Sequence, residues 1–243
     1  MEVVELGSKV IEYDVVRTDR KTVGINIDPD KGIVVRSPEE LTDEEIEEVI
    51  ENKSSWILEK LDKVAEIKPK PSPKEFLSGE KLPYLGKRYR LKVKARDNIS
   101  NVNVKLFRGK FMIDYPAELQ GREDERKEAI REELISWYRE RAEIKIKERV
   151  DKYKDKLDVE PNMVKVKKQK KRWGSCSSKN NLNFNWKIIM APMTMVDYVI
   201  VHELTHLKHP NHSKDFWKTV EAIIPDYEER REWLRVNGRR LDF

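Results

Sequence analysis

Hydrophobic and polar residues alternate along residues 9–37, which is the pattern of β-strands that bury one face. A capping box follows, in which Thr42 is paired with Glu45, and hydrophobic residues then recur at helical spacing. Residues 1–66 are therefore predicted to form a β-rich region with one helix.

Prolines interrupt this pattern in the segment KPKPSPKEF, and residues 67–78 are predicted to be an extended linker, because proline cannot continue a helix. Residues 79–121 alternate again and are predicted to be a β-hairpin region, with a turn at Arg108 and Gly109. The last region, residues 122–243, opens with a long amphipathic helix that has one hydrophobic stripe.

This last region continues with two predicted strands, at 163–169 and 181–189. A helix with a hydrophobic face should then begin at Thr194, a good N-cap with Asp197 three residues on, and end before Pro210. Two short helices complete the chain. Strands and helices in this order predict the α+β class.

Composition restricts the class of protein further. Charged residues make up 39% of the 243 residues, and the net charge of +5 permits an anionic partner without requiring one. The one cysteine, Cys176, cannot form a disulfide within the chain. The sequence has neither the pattern of a secretion signal nor a run of roughly 18 apolar residues, so we expect a cytoplasmic protein without membrane contact.

All four histidines of the chain fall in the segment VHELTHLKHPNHSKDFW, residues 201–217. His202 and His206 are four residues apart, so both rings lie on one face of the predicted helix and can bind one metal ion. Together with Glu203 they form the HExxH motif, in which the carboxylate holds a water molecule rather than the metal. Because a catalytic zinc has three protein ligands, a third ligand is expected downstream.

Three residues are candidates for this third ligand. His209 lies seven residues from His202, roughly 10 Å along a helix axis, and three rings on one straight stripe cannot surround an ion tetrahedrally without strain. His212 lies beyond Pro210, where the chain can fold back toward the metal. The sequence favours His212, with His209 as the second choice and Glu221 as the third.

Three segments carry a resemblance to a known family: RWGSCSSKNNLNFNWKIIMAP at 172–192, DYVIVHELTHLKHPNHSKDFW at 197–217 and IPDYEERREWL at 224–234. They resemble the YgjP-like metal-dependent hydrolases, which are relatives of SprT-like zinc peptidases. The earlier segments KSSWI and LPYLGKRYRL extend the resemblance over most of the chain.

The resemblance implies a zincin-like core, in which a small antiparallel sheet packs beside the HExxH helix. It also implies one zinc ion, with His202, His206 and His212 as ligands and Glu203 as the catalytic carboxylate. Metzincins share this ligand spacing, but they have a glycine where this chain has His209 and a methionine turn downstream. Here every methionine precedes the motif, so the metzincin alternative is disfavoured.

The WGSC segment contains further candidates. Gly174 permits a tight turn, Trp173 is expected to be a core residue or a substrate contact, and Cys176 is expected to be a small buried residue rather than a ligand. A strand beside the site can also hold an extended substrate by strand addition.

Charged and aromatic residues near the motif give the remaining candidates. The basic run KVKKQKKR, residues 165–172, is a candidate phosphate or DNA contact that includes Lys171 and Arg172, although a solvated edge strand is the favoured explanation. Tyr227 and Arg231 lie where related hydrolases often place a group that stabilises an oxyanion, although surface or packing roles explain them as well.

These observations predict a zinc-dependent hydrolase of the metallopeptidase type that acts on a polypeptide, with Glu203 as the general base. The resemblance also implies an alternative, a metal-dependent pyrophosphohydrolase that acts on the nucleotide UTP. A third hypothesis is a nucleic-acid-associated module with a structural metal. That module would need a fourth protein ligand, for which Cys176 and His209 are the obvious candidates.

Overall fold

The structure is a computed structural model that describes residues 2–7, 9–170 and 172–243. The chain divides into two units, Met1–Pro69 and Lys70–Phe243. The second unit contains both the predicted hairpin region and the region that carries the histidines. Strands and helices are segregated along the chain, which confirms the α+β class.

The first unit contains a four-stranded sheet in the order β1-β2-β4-β3, in which β2 and β4 are parallel and the other pairs are antiparallel. Its strands are β1 (Glu2–Leu6), β2 (Lys9–Arg17), β3 (Gly24–Asp28) and β4 (Gly32–Ser37). Alternate residues of the sheet are buried, as the sequence pattern predicts.

Two helices, α1 (Asp43–Asn52) and α2 (Ser54–Ala65), take the place of the single predicted helix. The predicted capping box is present, since Thr42 and Glu45 each accept a backbone N–H of the other. Lys53 interrupts the helix because its backbone leaves the helical region and its N–H closes a tighter turn on Ile50. The helical spacing of apolar residues continues across this break, and so the break leaves no mark in the hydrophobic pattern.

The second unit begins with another four-stranded sheet, in the order β5-β6-β8-β7. Its strands are β5 (Lys81–Tyr84), β6 (Lys87–Arg96), β7 (Asn103–Phe107) and β8 (Lys110–Pro116). The predicted turn at Arg108 and Gly109 is confirmed, and both residues have the positive φ that two-residue hairpin loops require.

The predicted long helix is α3 (Glu123–Leu157). It ends at Asp158, whose left-handed backbone closes the last turn. All eight residues of the predicted hydrophobic stripe are buried: Ile130, Leu134, Tyr138, Ala142, Ile146, Val150, Tyr153 and Leu157. This helix packs against the elements that carry the site.

Beside the histidines lies a three-stranded sheet in the order β10-β11-β9. Its strands are β9 (Met163–Lys167), β10 (Gly174–Cys176) and β11 (Asn181–Asn185), and a 3-10 helix, Trp186–Met190, replaces the end of the second predicted strand. The sheet is mixed rather than antiparallel: β10 and β11 are antiparallel, but β9 and β11 are parallel. β9 and β10 occupy opposite edges of the sheet and run in opposite directions, because the short chain between them crosses the end of β11. Since β11 is antiparallel to β10, it is parallel to β9.

The histidine helix is α4 (Met193–Thr205), followed by α5 (Lys214–Ile223) and α6 (Tyr227–Asn237). The predicted N-cap at Thr194 is wrong, because Pro192 occupies that position and Asp197 instead binds Arg149 of α3 through two contacts of 2.5 Å. The helix also ends earlier than the predicted stop at Pro210. None of the described helices has the length and hydrophobicity needed to cross a membrane.

Candidate metal centre

Three imidazole rings converge at the end of α4. One potential ligand atom from each of His202, His206 and His212 lies within 4.8 Å of the others. The Nε2 atoms of His202 and His212 are 3.1 Å apart. Two nitrogens bound to one tetrahedral zinc at its usual bond length are separated by roughly 3.3 Å, so the separation of this pair matches that of two zinc ligands.

The early end of α4 brings His212 to the other two rings. Regular helical bonding stops at Thr205, and the N–H groups of Lys208 and His209 both donate to its carbonyl, at 3.0 and 2.9 Å. The chain therefore turns away from the helix axis before Pro210 and returns with His212. The predicted return of the chain is present, but it begins at the end of α4 rather than at the proline.

His209 supports the cluster without joining it. The Nδ1–H of His206 donates to the His209 carbonyl at 3.1 Å, which leaves the Nε2 lone pair of His206 free for a metal. The ring of His209 is hydrogen-bonded through Nε2 to the Thr219 hydroxyl at 3.2 Å. Within the described residues neither His209 nor Glu221 belongs to the cluster.

The environment keeps two of the three rings neutral. Burial lowers the pKa of His202 to about 3, with smaller contributions from His206, His212 and Arg231. Burial also lowers the pKa of His206, and the hydrogen bond to the His209 carbonyl opposes this shift. Neutral imidazole is the form that binds a metal ion, so the two helical rings are ready for coordination at neutral pH.

Aromatic packing orients the rings where hydrogen bonds are lacking. The Nδ1 of His202 is buried without a hydrogen-bond partner in the described part of the chain. Its ring packs instead against Tyr198 and Phe216, at centroid distances of 5.9 and 5.0 Å. Phe216 is fully buried and also contacts His206 at 4.6 Å and His212 at 4.8 Å. Phe216 therefore packs against all three rings.

Glu203 lies buried beside the cluster. Burial raises the pKa of its carboxyl to about 7, while the charge of Arg172 and a hydrogen bond from the Cys176 backbone N–H oppose the shift. A Cβ atom on Gly174 would lie 2.6 Å from both Cγ and Oε1 of Glu203. The glycine of the WGSC segment is thus needed for close approach of this side chain, and not for the tight turn that we expected.

An open cleft of about 1040 Å³ exposes these groups. Strand β10 and the residues around it form one wall, and α4 and α6 contribute the others. The predicted substrate residues Arg172, Trp173 and Arg231 all line the cleft. Tyr227 is not among its lining residues and is stacked on Trp217 instead, at 5.1 Å. Lys171 lies outside the described residues.

The basic run contributes little to the cleft. Of its described residues only Arg172 lines it, whereas four lysines are solvent-exposed: Lys165, Lys167, Lys168 and Lys170. Strand β9, which carries the first two of these lysines, is an edge strand of its sheet. This position agrees with the edge-strand interpretation, while a phosphate or DNA contact stays a prediction.

Cys176 and several aromatic residues complete the surroundings. Burial raises the pKa of the Cys176 thiol, with a further contribution from Glu203, and the thiol donates to the Ser177 carbonyl at 3.5 Å. The sequence pattern does not identify Tyr198, Phe216 and Trp217 as site residues. Only their spacing from the histidines could have indicated them, because Tyr198 precedes His202 by four residues and Phe216 follows His212 by four.

The chain is similar to two solved structures. The metallopeptidase zymogen of Pyrococcus abyssi abylysin is 22% identical, with a TM-score of 0.35, and the match covers 37% of this chain and 90% of that one. The metallopeptidase zymogen of Methanocaldococcus jannaschii jannalysin is 24% identical, with a TM-score of 0.33, and the match covers 37% and 92%. These TM-scores are too low to support an inference about this chain.

Sequence comparison is more informative. Among curated proteins, no sequence matches the chain significantly. The model of the YgjP-like metallopeptidase domain, however, matches residues 21–237. This match spans most of the chain and confirms the resemblance seen in the sequence. The protein is therefore a metal-dependent hydrolase that belongs to the YgjP-like family, with its metallopeptidase domain.

Proposed function

We propose that the protein is a zinc-dependent peptidase, in which His202, His206 and His212 hold one zinc ion and Glu203 transfers protons. The observation that carries this proposal is the convergence of three ring nitrogens within 4.8 Å, beside a buried carboxylate, at an open cleft. The donor set suits zinc, because three imidazoles leave a fourth position for a small molecule.

Zinc, when bound, supplies Lewis acidity that polarises a carbonyl and lowers the pKa of water to about 7. Glu203 then acts as the general base. Its carboxyl is buried beside the three rings and lines the cleft, where it can take a proton from water and return it to the leaving amine. Gly174 and the Cys176 N–H fix the position of this carboxyl.

The cleft suits an extended peptide. Strand β10 is an edge strand that pairs with β11 alone among the described strands, and its three residues line the cleft. A peptide can add to such an edge through backbone hydrogen bonds. Of the two candidates for oxyanion stabilisation, Arg231 has the better position, since it lines the cleft and Tyr227 does not.

The rival hypotheses have less support. Hydrolysis of UTP would use the lysines of the basic run for the triphosphate, but those described lie outside the cleft lining. A structural metal would need a fourth protein ligand. Cys176 and His209 are both outside the described cluster, and the ring of His209 is already bound to Thr219.

Metal analysis and one substitution test the proposal. Purified protein should contain about one zinc ion per chain, and Glu203→Gln should retain it while turnover of unfolded polypeptide falls by about 100-fold or more. Glu221→Gln makes the same change on an exposed carboxylate outside the cluster and should leave both unchanged. A metal-free protein, undiminished turnover in Glu203→Gln, or turnover of UTP alone would contradict the proposal.

A further inference from the structure

The wall of the cleft is cationic. Its described lining contains three arginines, Arg172, Arg231 and Arg235, and a single carboxylate, Glu203. The carboxylate is buried beside the histidines, and although the charge of Arg172 acts on it, one carboxylate does not neutralise three arginines. A cleft with this charge attracts an anionic group on the substrate.

Two of the three arginines form no ion pair with a described residue. Arg235 is bound to Glu232 of the same helix, with its Nε at 2.7 Å. Arg230, the neighbour of Arg231, is bound to Asp226 at 2.7 Å and to the Thr194 carbonyl at 3.0 Å. In contrast, Arg172 and Arg231 form no ion pair with any described residue. Their guanidinium groups are available to a ligand.

The two arginines without an ion pair to a described residue are held in different ways: Arg231 through its side chain, and Arg172 through its backbone, with its side chain exposed. The guanidinium of Arg231 lies over the Trp217 ring, 5.3 Å from its centroid, which supports one face of the group and leaves its N–H edge for an acceptor. The backbone carbonyl of Arg172 accepts a hydrogen bond of 3.3 Å from Asn185, a buried side chain that also holds the Gln169 carbonyl at 3.0 Å. The guanidinium of Arg231 therefore needs little further ordering when it binds a ligand.

The two arginines approach the site from different walls. Arg172 immediately precedes the WGSC strand, and its charge acts on Glu203. Arg231 lies on α6, and its charge acts on His202 and Tyr198. Both arginines therefore line the cleft in which a peptide chain along β10 would lie. A planar carboxylate matches a guanidinium through two parallel hydrogen bonds.

We propose that the cleft selects peptides with a carboxylate close to the scissile bond, either an acidic side chain or a free C-terminus, and that Arg172 and Arg231 bind it. This inference rests on the proposed peptidase function and adds its substrate class. The apolar lining residues Val199, Leu207 and Leu234 favour a peptide over a nucleotide, since they can pack against the aliphatic side chains of a peptide.

Matched fluorogenic peptides test the proposal with the zinc-loaded enzyme. One series replaces Asp or Glu by Asn or Gln at each position around the cleaved bond, and a second series compares a C-terminal acid with the amide. We expect the acidic peptide to have a kcat/KM higher by on the order of tenfold, chiefly through KM. The first series identifies a side chain as the source of the carboxylate, and the second identifies the terminus.

Two arginine variants locate the effect. Arg172→Gln and Arg231→Gln should each reduce the preference, and the double variant should abolish it. Arg240→Gln removes the same charge from an exposed residue outside the cleft lining and should keep the preference. Binding of labelled acidic and neutral peptides to Glu203→Gln, measured by fluorescence anisotropy, should show the same pattern without turnover.

The outcomes separate this inference from the proposed function. Cleavage without a preference, or a preference retained in the double variant, would overturn the inference and leave the peptidase function intact. An equal loss of kcat for acidic and neutral peptides in Arg231→Gln would assign that residue to oxyanion stabilisation instead. If no peptide is cleaved, or if UTP alone is hydrolysed, the peptidase function fails and the inference with it.

Discussion

Helix α4 with its C-cap His206, and the segment that follows, residues 207–213, hold their histidines by different means. Nearly all of α4 from Val196 to Thr205 is buried, and the Arg149–Asp197 ion pair attaches it to α3. The following segment is mostly solvent-exposed. His202 therefore takes its position from the folding of the core, whereas His212 depends on a few local contacts.

This difference shows which parts of the candidate centre are positioned by the folded core. A rigid helix sets the separation of two donors before any ion binds, and only the third donor has to be brought to them by a segment with little core of its own. Substitutions in the two regions should consequently separate metal affinity from stability.

Substitution of a proposed zinc-binding histidine should have the largest effect on zinc affinity. His202→Ala and His212→Ala should each lower zinc affinity by more than about 100-fold, which exceeds the usual cost of losing a supporting residue. In the zinc-free protein they should differ. His202→Ala removes a ring packed against Tyr198 and Phe216 and should lower the free energy of unfolding by on the order of 1 kcal/mol, whereas exposed His212 should change it little.

Zinc titration with a competing chelator, together with thermal unfolding of the zinc-free proteins, measures both quantities. His209→Gln is the matched control, because it keeps the backbone carbonyl that His206 uses. A loss of affinity in His209→Gln as large as that in His212→Ala would show that the third ligand has been assigned to the wrong histidine.

Removal of the Arg149–Asp197 ion pair, which attaches α4 to α3, should have the next largest effect. We expect it to lower the free energy of unfolding. Arg149→Met leaves the carboxylate of Asp197 buried without its partner, which typically costs about 3 kcal/mol or more. Urea unfolding followed by circular dichroism should show a lower midpoint. Arg139→Met, on an exposed position of α3, should not change it. An unchanged midpoint in Arg149→Met would mean that the ion pair does not hold the helix.

The sequence predicts this molecule well where the determinants are local. The HExxH spacing places two rings on one helix face, the stripe of α3 is buried as expected, and Arg108 and Gly109 form the hairpin turn. Each of these features depends on residues within a few positions of one another, so that periodicity and turn chemistry are sufficient.

Features that depend on distant residues were not predictable in this way. Thr194 and Asp197 look like a helix start, but the partner that recruits Asp197 lies 48 residues earlier in the chain. Gly174 looks like a turn residue, although its role depends on Glu203 from another element. The crossing that makes β9 parallel to β11 is held by the Asn185 side chain, and no hydrophobic pattern records such a bond.

Trp217 offers a finer test of the contrast between helix and loop. The His206 ring is held by a hydrogen bond to the His209 carbonyl, but the ring of His212 has no comparable bond to a backbone carbonyl among the described residues. It is stacked on Trp217 instead, at a centroid distance of 5.5 Å and an angle of 24°. Trp217 is in turn stacked on Tyr227. We interpret Trp217 as a positioning residue that does for the loop histidine what the hydrogen bond does for His206.

Trp217→Ala should accordingly lower zinc affinity by between about tenfold and about 100-fold, the range for a residue that orients a ligand. Trp217→Phe keeps an aromatic face that can stack on His212 and should restore most of the zinc affinity. Trp56→Ala, on an exposed tryptophan of α2, should leave affinity unchanged. If Trp217→Ala binds zinc as tightly as the unmodified protein, the segment itself must hold His212, and the contrast between helix and loop would then lie in burial alone.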